Sequence, residues 1–122
     1  MKKSGGGIIL AVKKKFNCTK LIENELLDQI TVKIWVGDFS LVISDIYIPP
    51  LSPIETYNNF FDMVYNNISD YENFCVLGDI NLAGYKWFDN NGFSTMQGYN
   101  SSWIIRDAAM QLNYLCELYK LY

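Results

Sequence analysis

Ile30-Thr31-Val32-Lys33-Ile34-Trp35-Val36-Gly37-Asp38-Phe39-Ser40-Leu41-Val42-Ile43-Ser44-Asp45-Ile46-Tyr47-Ile48-Pro49-Pro50 is the stretch that decides the fold of this chain. Ile30, Val32, Ile34 and Val36 alternate with Thr31, Lys33 and Trp35, the period of two of a strand with one greasy face. Gly37-Asp38 supplies a tight turn that tolerates positive φ, and Leu41–Ile48 returns as a second strand. Pro49-Pro50 stops it, because proline has no N–H to give a sheet ladder.

Downstream, Ser52-Pro53-Ile54-Glu55 reads as a capping box with proline at the first helical position. Ile54, Tyr57, Phe61, Val64 and Ile68 follow at helical spacing, which predicts an amphipathic helix to about Ser69. The wholly apolar run Phe74-Cys75-Val76-Leu77 predicts a central strand covered on both faces. Leu82 to Asn100 is rich in glycine, asparagine and aromatics and reads as a long loop; its Asp89-Asn90-Asn91-Gly92 lacks the spaced acids of a calcium loop and reads as a turn. From Trp103 onward, Ile105, Ala108, Ala109, Leu112, Leu115, Cys116 and Tyr119 mark a closing helix. Upstream, Gly5-Gly6-Gly7 leads into Ile8–Val12, a short buried strand, and Phe16 to Asp28 reads as loop with some extended pairing. The glycines precede a strand and lack the Gly-Lys-Ser/Thr of a phosphate-cradling loop. The expected order is β, ββ, α, β, loop, α: an α/β fold with a mixed sheet and two main helices.

Composition narrows the function classes. A chain of 122 residues, half of them hydrophobic, is one domain or part of one and is not disordered. The first twenty residues hold six lysines and no acid, whereas the remainder sets four basic side chains against thirteen acidic ones. Lys13–Lys15 are the solvated end of a strand or a contact for phosphates, and six lysines on an acidic chain make no continuous basic groove. Cys18, Cys75 and Cys116 are odd in number and far apart, and histidine is absent, so a zinc site of the usual N/S type has no ligands to draw on. Free thiols suit a reducing, intracellular setting, nuclear or cytoplasmic. The Ile8–Val12 run is shorter than a signal-peptide core, and no run approaches a membrane helix, so no membrane partner is expected. The Asn-x-Ser/Thr sequons at Asn17, Asn67 and Asn100 are chance in an asparagine-rich chain.

Two places carry chemistry. Gly78-Asp79-Ile80-Asn81 stands where the apolar strand runs out, and strand periodicity points Asp79 and Asn81 the same way with Ile80 turned into the core. There a carboxylate can hold a metal or orient an attacking water, while a carboxamide N–H donates to a phosphate oxygen. Gly78 lets the backbone come close to a ligand or to a neighbouring strand. On its own the tetrapeptide equally fits a Gly-Asp turn capped by asparagine. Tyr47 shares a face with Asp45 at the other strand's end, placed either to hydrogen-bond a phosphate or to act as a sheet aromatic with a wet tip.

Three blocks, Gly5–Lys13, Ile46-Tyr47-Ile48-Pro49-Pro50 and Val76-Leu77-Gly78-Asp79-Ile80-Asn81-Leu82, together with Leu82–Trp87, resemble the endonuclease/exonuclease/phosphatase family in order and spacing. The nearest resemblance is to the apurinic-type endonuclease domain that precedes the reverse transcriptase of non-LTR retrotransposons, over Gly5 to about Leu118. The resemblance implies a four-layer α/β sandwich, of which this chain is a part, a divalent metal such as Mg²⁺, and phosphodiester cleavage in DNA. Asp79 resembles the family's water-orienting carboxylate, with a further implied part in an incomplete metal site; Asn81 resembles its phosphate-binding amide and Tyr47 its site tyrosine. Pro50 departs from the asparagine of many members. Two blocks have no counterpart: the metal-binding glutamate with its early asparagine ahead of the triple glycine, and the closing Ser-Asp-His. Residues 1–122 are therefore expected to form a partial domain that does not catalyse on its own. The alternative is a non-catalytic module that kept the fold to bind nucleic acid or protein.

Overall fold

In the computed structural model, residues 7–24, 27–68, 70–90, 93–98, 100 and 102–119 are described. The fold is mixed α/β, a four-stranded mixed sheet with two helices and a separate two-stranded hairpin. The chain divides into two compact units, Met1–Ile48 with Asp70–Ile80, and Pro49–Ser69 with Asn81–Tyr122.

The first unit is the sheet. β1 (Asn17–Asn24), β2 (Asp28–Val36) and β3 (Phe39–Tyr47) form an antiparallel meander, and β4 (Phe74–Asp79) adds to β3 in parallel. The expected β2–β3 hairpin forms: Val36 pairs with Phe39 across Gly37-Asp38, and Gly37 takes φ +62°. Glycine at the first central position is what a type II′ turn requires, and that turn's twist matches the strands.

Several expectations are corrected here. Within 7–13 no strand forms and Ile9 is 91% exposed, so this apolar run pairs with neither edge of the sheet. The extended pairing expected within Phe16–Asp28 does form, as β1, whose register slips at Leu21 between Lys20 and Ile22, the mark of a β-bulge. β4 is an edge strand and not a central one, and its Leu77 stays 48% exposed.

The alternation along β2 is real, but the more buried face includes its polar residues. Gln29 and Thr31 lie buried on the same face as Val42, Ser44 and Ile46 of β3, while Ile30 and Ile34 are half-buried and Val36 is exposed. Burying hydroxyls is tolerated only when they are paired. They are: Gln29 Nε2 donates to Thr31 Oγ1 at 3.1 Å and to Ser44 Oγ at 3.0 Å, and the two hydroxyls share a 2.9 Å hydrogen bond.

The second unit holds the helices. α1 (Ile54–Met63) continues as a π turn over Val64–Ile68, so the helical segment ends about where the spacing predicts. Tyr57, Phe60, Phe61, Val64 and Ile68 form its buried stripe. The capping box does not form. Pro53 is the cap residue, no side chain caps the helix, and the Ser52 hydroxyl donates instead to the Pro49 carbonyl at 2.7 Å. α2 (Trp103–Tyr119) packs on α1, with Ile105, Ala108, Ala109 and Leu112 buried along it, and Gln111 Nε2 donates to Asn58 Oδ1 at 3.2 Å. The stretch read as a long loop contains β5 (Tyr85–Asn90) and β6 (Phe93–Gly98), an antiparallel hairpin. Residues 91 and 92 of the expected Asp89–Gly92 turn, and the glycines at 5 and 6, lie outside the described residues. No described helix is long and apolar enough to cross a membrane.

Candidate functional site

β3 and β4 run parallel, so their C-terminal ends fall at the same edge of the sheet. There Tyr47 is the register partner of Asp79. Opposed residues on paired strands share a face, so the phenol and the carboxylate stand side by side, Tyr47 half-buried and Asp79 exposed. The backbone fastens this end: the Ile48 N–H donates to the Asp79 carbonyl at 2.9 Å.

Gly78 makes that alignment possible. It has φ +134°, and a Cβ added there would lie 1.8 Å from the Ile46 carbonyl oxygen. Close approach to the neighbouring strand therefore requires glycine at this position.

On the other side of Tyr47, its antiparallel partner is Asp28. Asp28, Tyr47 and Asp79 thus form one row across β2, β3 and β4, with Asp45 on the same face one step back. Strands lie about 4.8 Å apart, so the two outer carboxylates are set about 10 Å apart with the phenol between them. Asp28 was not singled out from sequence, although the two-residue turn at Gly37-Asp38 fixes the register that places it opposite Tyr47.

Asn81 behaves differently from expectation. The strand ends at Asp79, and Asn81 adopts φ +50°, so the alternation that would align its side chain with Asp79 stops short of it. Asparagine tolerates this left-handed conformation better than most residues. Asn81 opens the second unit, where its carbonyl accepts a 3.4 Å hydrogen bond from the buried Tyr57 hydroxyl. It also lines a cavity of about 280 Å³ within that unit, together with Leu51, Ala83, Asn100 and Ile105. The Asn100 side chain braces the cavity wall, donating to the Ala83 carbonyl at 2.8 Å and accepting from the Ser102 N–H at 2.7 Å.

A carboxylate is the right donor for a hard divalent cation, which protein sites commonly hold through one or two carboxylates plus substrate oxygens. Asp79 meets that requirement singly. Among the described residues no three of His, Cys, Asp and Glu come together as a ligand set. A divalent cation there would draw on Asp79 together with the substrate's own oxygens. Comparison with protein-family models, with curated proteins and with solved structures finds no match.

Proposed function

We propose that this chain is part of a metal-dependent phosphodiesterase domain of the endonuclease/exonuclease/phosphatase type, built as a four-layer sandwich, and that it derives from a DNA endonuclease of the retrotransposon kind. The observation that supports this reading is the register pairing of Tyr47 with Asp79 at the C-terminal ends of parallel strands. Two of the three sequence blocks that carry the resemblance meet there.

In this reading Asp79 orients the attacking water and accepts its proton as the new P–O bond forms. The Tyr47 hydroxyl donates to a non-bridging phosphate oxygen, stabilising charge that grows as the bond to the leaving oxygen breaks. Mg²⁺, when bound, supplies Lewis-acid stabilisation of that same charge. The 122 residues contain no histidine to serve as general acid or base, a contribution typically worth about 10²–10⁴-fold. We therefore propose that these residues alone do not turn substrate over.

The test is nicking of supercoiled plasmid in Mg²⁺. The chain alone is expected to leave the plasmid intact. A chain extended by its flanking coding sequence is expected to nick it, and Asp79→Ala is expected to lower that rate by at least about 100-fold. An extended chain that is inert, or that is indifferent to Asp79→Ala, rules the proposal out.

A further inference from the structure

The end of the sheet away from Tyr47 carries a second cluster that the endonuclease reading does not use. Lys33 on β2 points its ammonium at two rings, with Nζ 5.2 Å from the Trp35 ring centroid and 5.5 Å from that of Tyr71. Both distances are within the range of cation–π attraction. Lys15 repeats the pattern over Phe16 at 5.0 Å. Both pairs lie at the same end of the sheet: Phe16 directly precedes Asn17, whose register partner is Trp35, and Tyr71 lies just ahead of the start of β4. Lys33, Trp35, Tyr71 and Phe16 are half-buried, and Lys13, Lys14 and Lys15 are exposed.

Charge is distributed unevenly along the sheet. The Tyr47 end carries Asp28, Asp45 and Asp79 on one face, spread over three strands, and that shared negative charge disfavours a phosphate chain there unless a cation intervenes. The Trp35 end has carboxylates too, at Asp38, Asp70 and Glu72, but among the described residues it is the end that interleaves lysines with aromatic faces. The two ends are separated by the length of β2 from Asp28 to Trp35, about 23 Å at about 3.3 Å per residue. Proteins that hold single-stranded nucleic acid without reading its sequence combine just these parts, ring faces on which bases stack and ammonium groups that track phosphates.

We propose that the Lys33–Trp35–Tyr71 cluster, extended by Lys13–Phe16, is a stacking platform for single-stranded polynucleotide, and that it works without a divalent metal. The proposal stands independently of any hydrolytic activity at Asp79. Its chemistry is common to DNA and RNA strands, so both are used as probes.

The experiment is fluorescence anisotropy with short labelled oligothymidine and oligouridine in EDTA at low salt. Binding is expected to weaken as salt rises, with a log–log slope of about −2 to −3, for three or four lysine–phosphate contacts at about −0.7 each. Tyr71→Ala and Trp35→Ala are each expected to weaken binding about tenfold, the loss of roughly one stacked base. Trp35→Phe keeps an aromatic face and is expected to keep most of the affinity. Asn24→Ala, at the far end of β1, is expected to leave oligonucleotide binding unchanged. Tyr71 lies outside the strands, so its variant reports on stacking even if Trp35→Ala fails to fold. No anisotropy change with either probe overturns the proposal, as does binding that survives both Tyr71→Ala and Lys33→Ala. A preference for a labelled polyglutamate peptide over both oligonucleotides overturns it as well, and would mark an acidic protein partner.

Discussion

Tyr47 and Asp79 are register partners on two parallel strands, although they are far apart in sequence and no turn joins their strands. Neighbouring strands place paired Cα atoms about 5 Å apart, inside the window of about 4.4–6.8 Å that a disulfide spans. In a background with the three native cysteines replaced, Tyr47→Cys with Asp79→Cys is expected to crosslink on mild oxidation. Tyr47→Cys with Leu77→Cys, one pleat back along β4, is expected to crosslink far more slowly. Equal crosslinking by the two pairs, followed by thiol titration and mass spectrometry, would mean that the register is different.

Gly78→Ala should be among the most damaging single changes in the sheet. The new methyl would collide with the Ile46 backbone, and backbone does not yield as a flexible side chain does. Positive-φ strain and overpacking each cost roughly 1–3 kcal/mol, so a combined loss of about 3 kcal/mol is expected. Urea unfolding against Leu77→Ala, whose native side chain is half exposed, isolates the effect.

The buried hydroxyl pair on β2 and β3 should behave as a unit. Thr31→Val or Ser44→Ala alone strands a partner in a dry interior and is expected to cost about 1–3 kcal/mol. The double variant is expected to cost less than the two single costs combined, with a coupling of about 0.5–3 kcal/mol in a double-mutant cycle. Strict additivity would show that the two groups do not depend on each other.

Leu51→Gly should stabilise. Leu51 holds φ +62° with its side chain 98% exposed, so it bears left-handed strain with no burial in return. The strain is roughly 1–2 kcal/mol, and glycine's extra freedom in the unfolded chain takes back about 0.5–1 kcal/mol. A rise in stability of up to about 1 kcal/mol is expected from thermal or urea unfolding.

Glu23 should titrate low. A hydrogen bond from Lys20, and then the charge of that ammonium, hold its carboxyl below the usual range. A depressed folded-state value means that the pair supports the fold at neutral pH, and the support disappears as pH falls through the carboxyl's own midpoint. Both groups are exposed, so the contribution is small and salt should screen it. An NMR titration of Glu23 is expected to move up in Lys20→Ala; an unchanged midpoint would show that the pair does not persist in solution.

Local patterns made some of this fold readable in advance, and non-local ones did not. The β2–β3 hairpin shows itself through alternation and Gly37, and both helices through apolar spacing that recurs every three to four residues. Asp28 was readable too, since a two-residue turn dictates which residue lies opposite Tyr47. β1 is legible only as some extended pairing without bounds, because its side chains are mostly exposed and no greasy stripe marks its extent. The β5–β6 hairpin was missed because a composition of glycine and asparagine suits loops as well as twisted strands. The apolar run of β4 suggested a strand covered on both faces, yet hydrophobicity says nothing about how many neighbours a strand has. Nor does any local rule set the parallel register that pairs Tyr47 with Asp79, because that alignment depends on everything between the two strands. The departure of Asn81 from strand geometry has the same origin: alternation holds only while the ladder lasts.

The parallel joint between β3 and β4 also has a consequence for how the molecule assembles. Strands one to three follow one another directly, whereas the fourth arrives only after the chain has gone out through α1 and come back. Pairings with short loops close quickly, and those spanning a long detour wait. The meander should therefore be in place while the edge beside β3 is still vacant, and Tyr47 should meet Asp79 last. A nascent chain arrested before Phe74 would hold three of the four strands of this sheet and no Asp79 to set beside Tyr47.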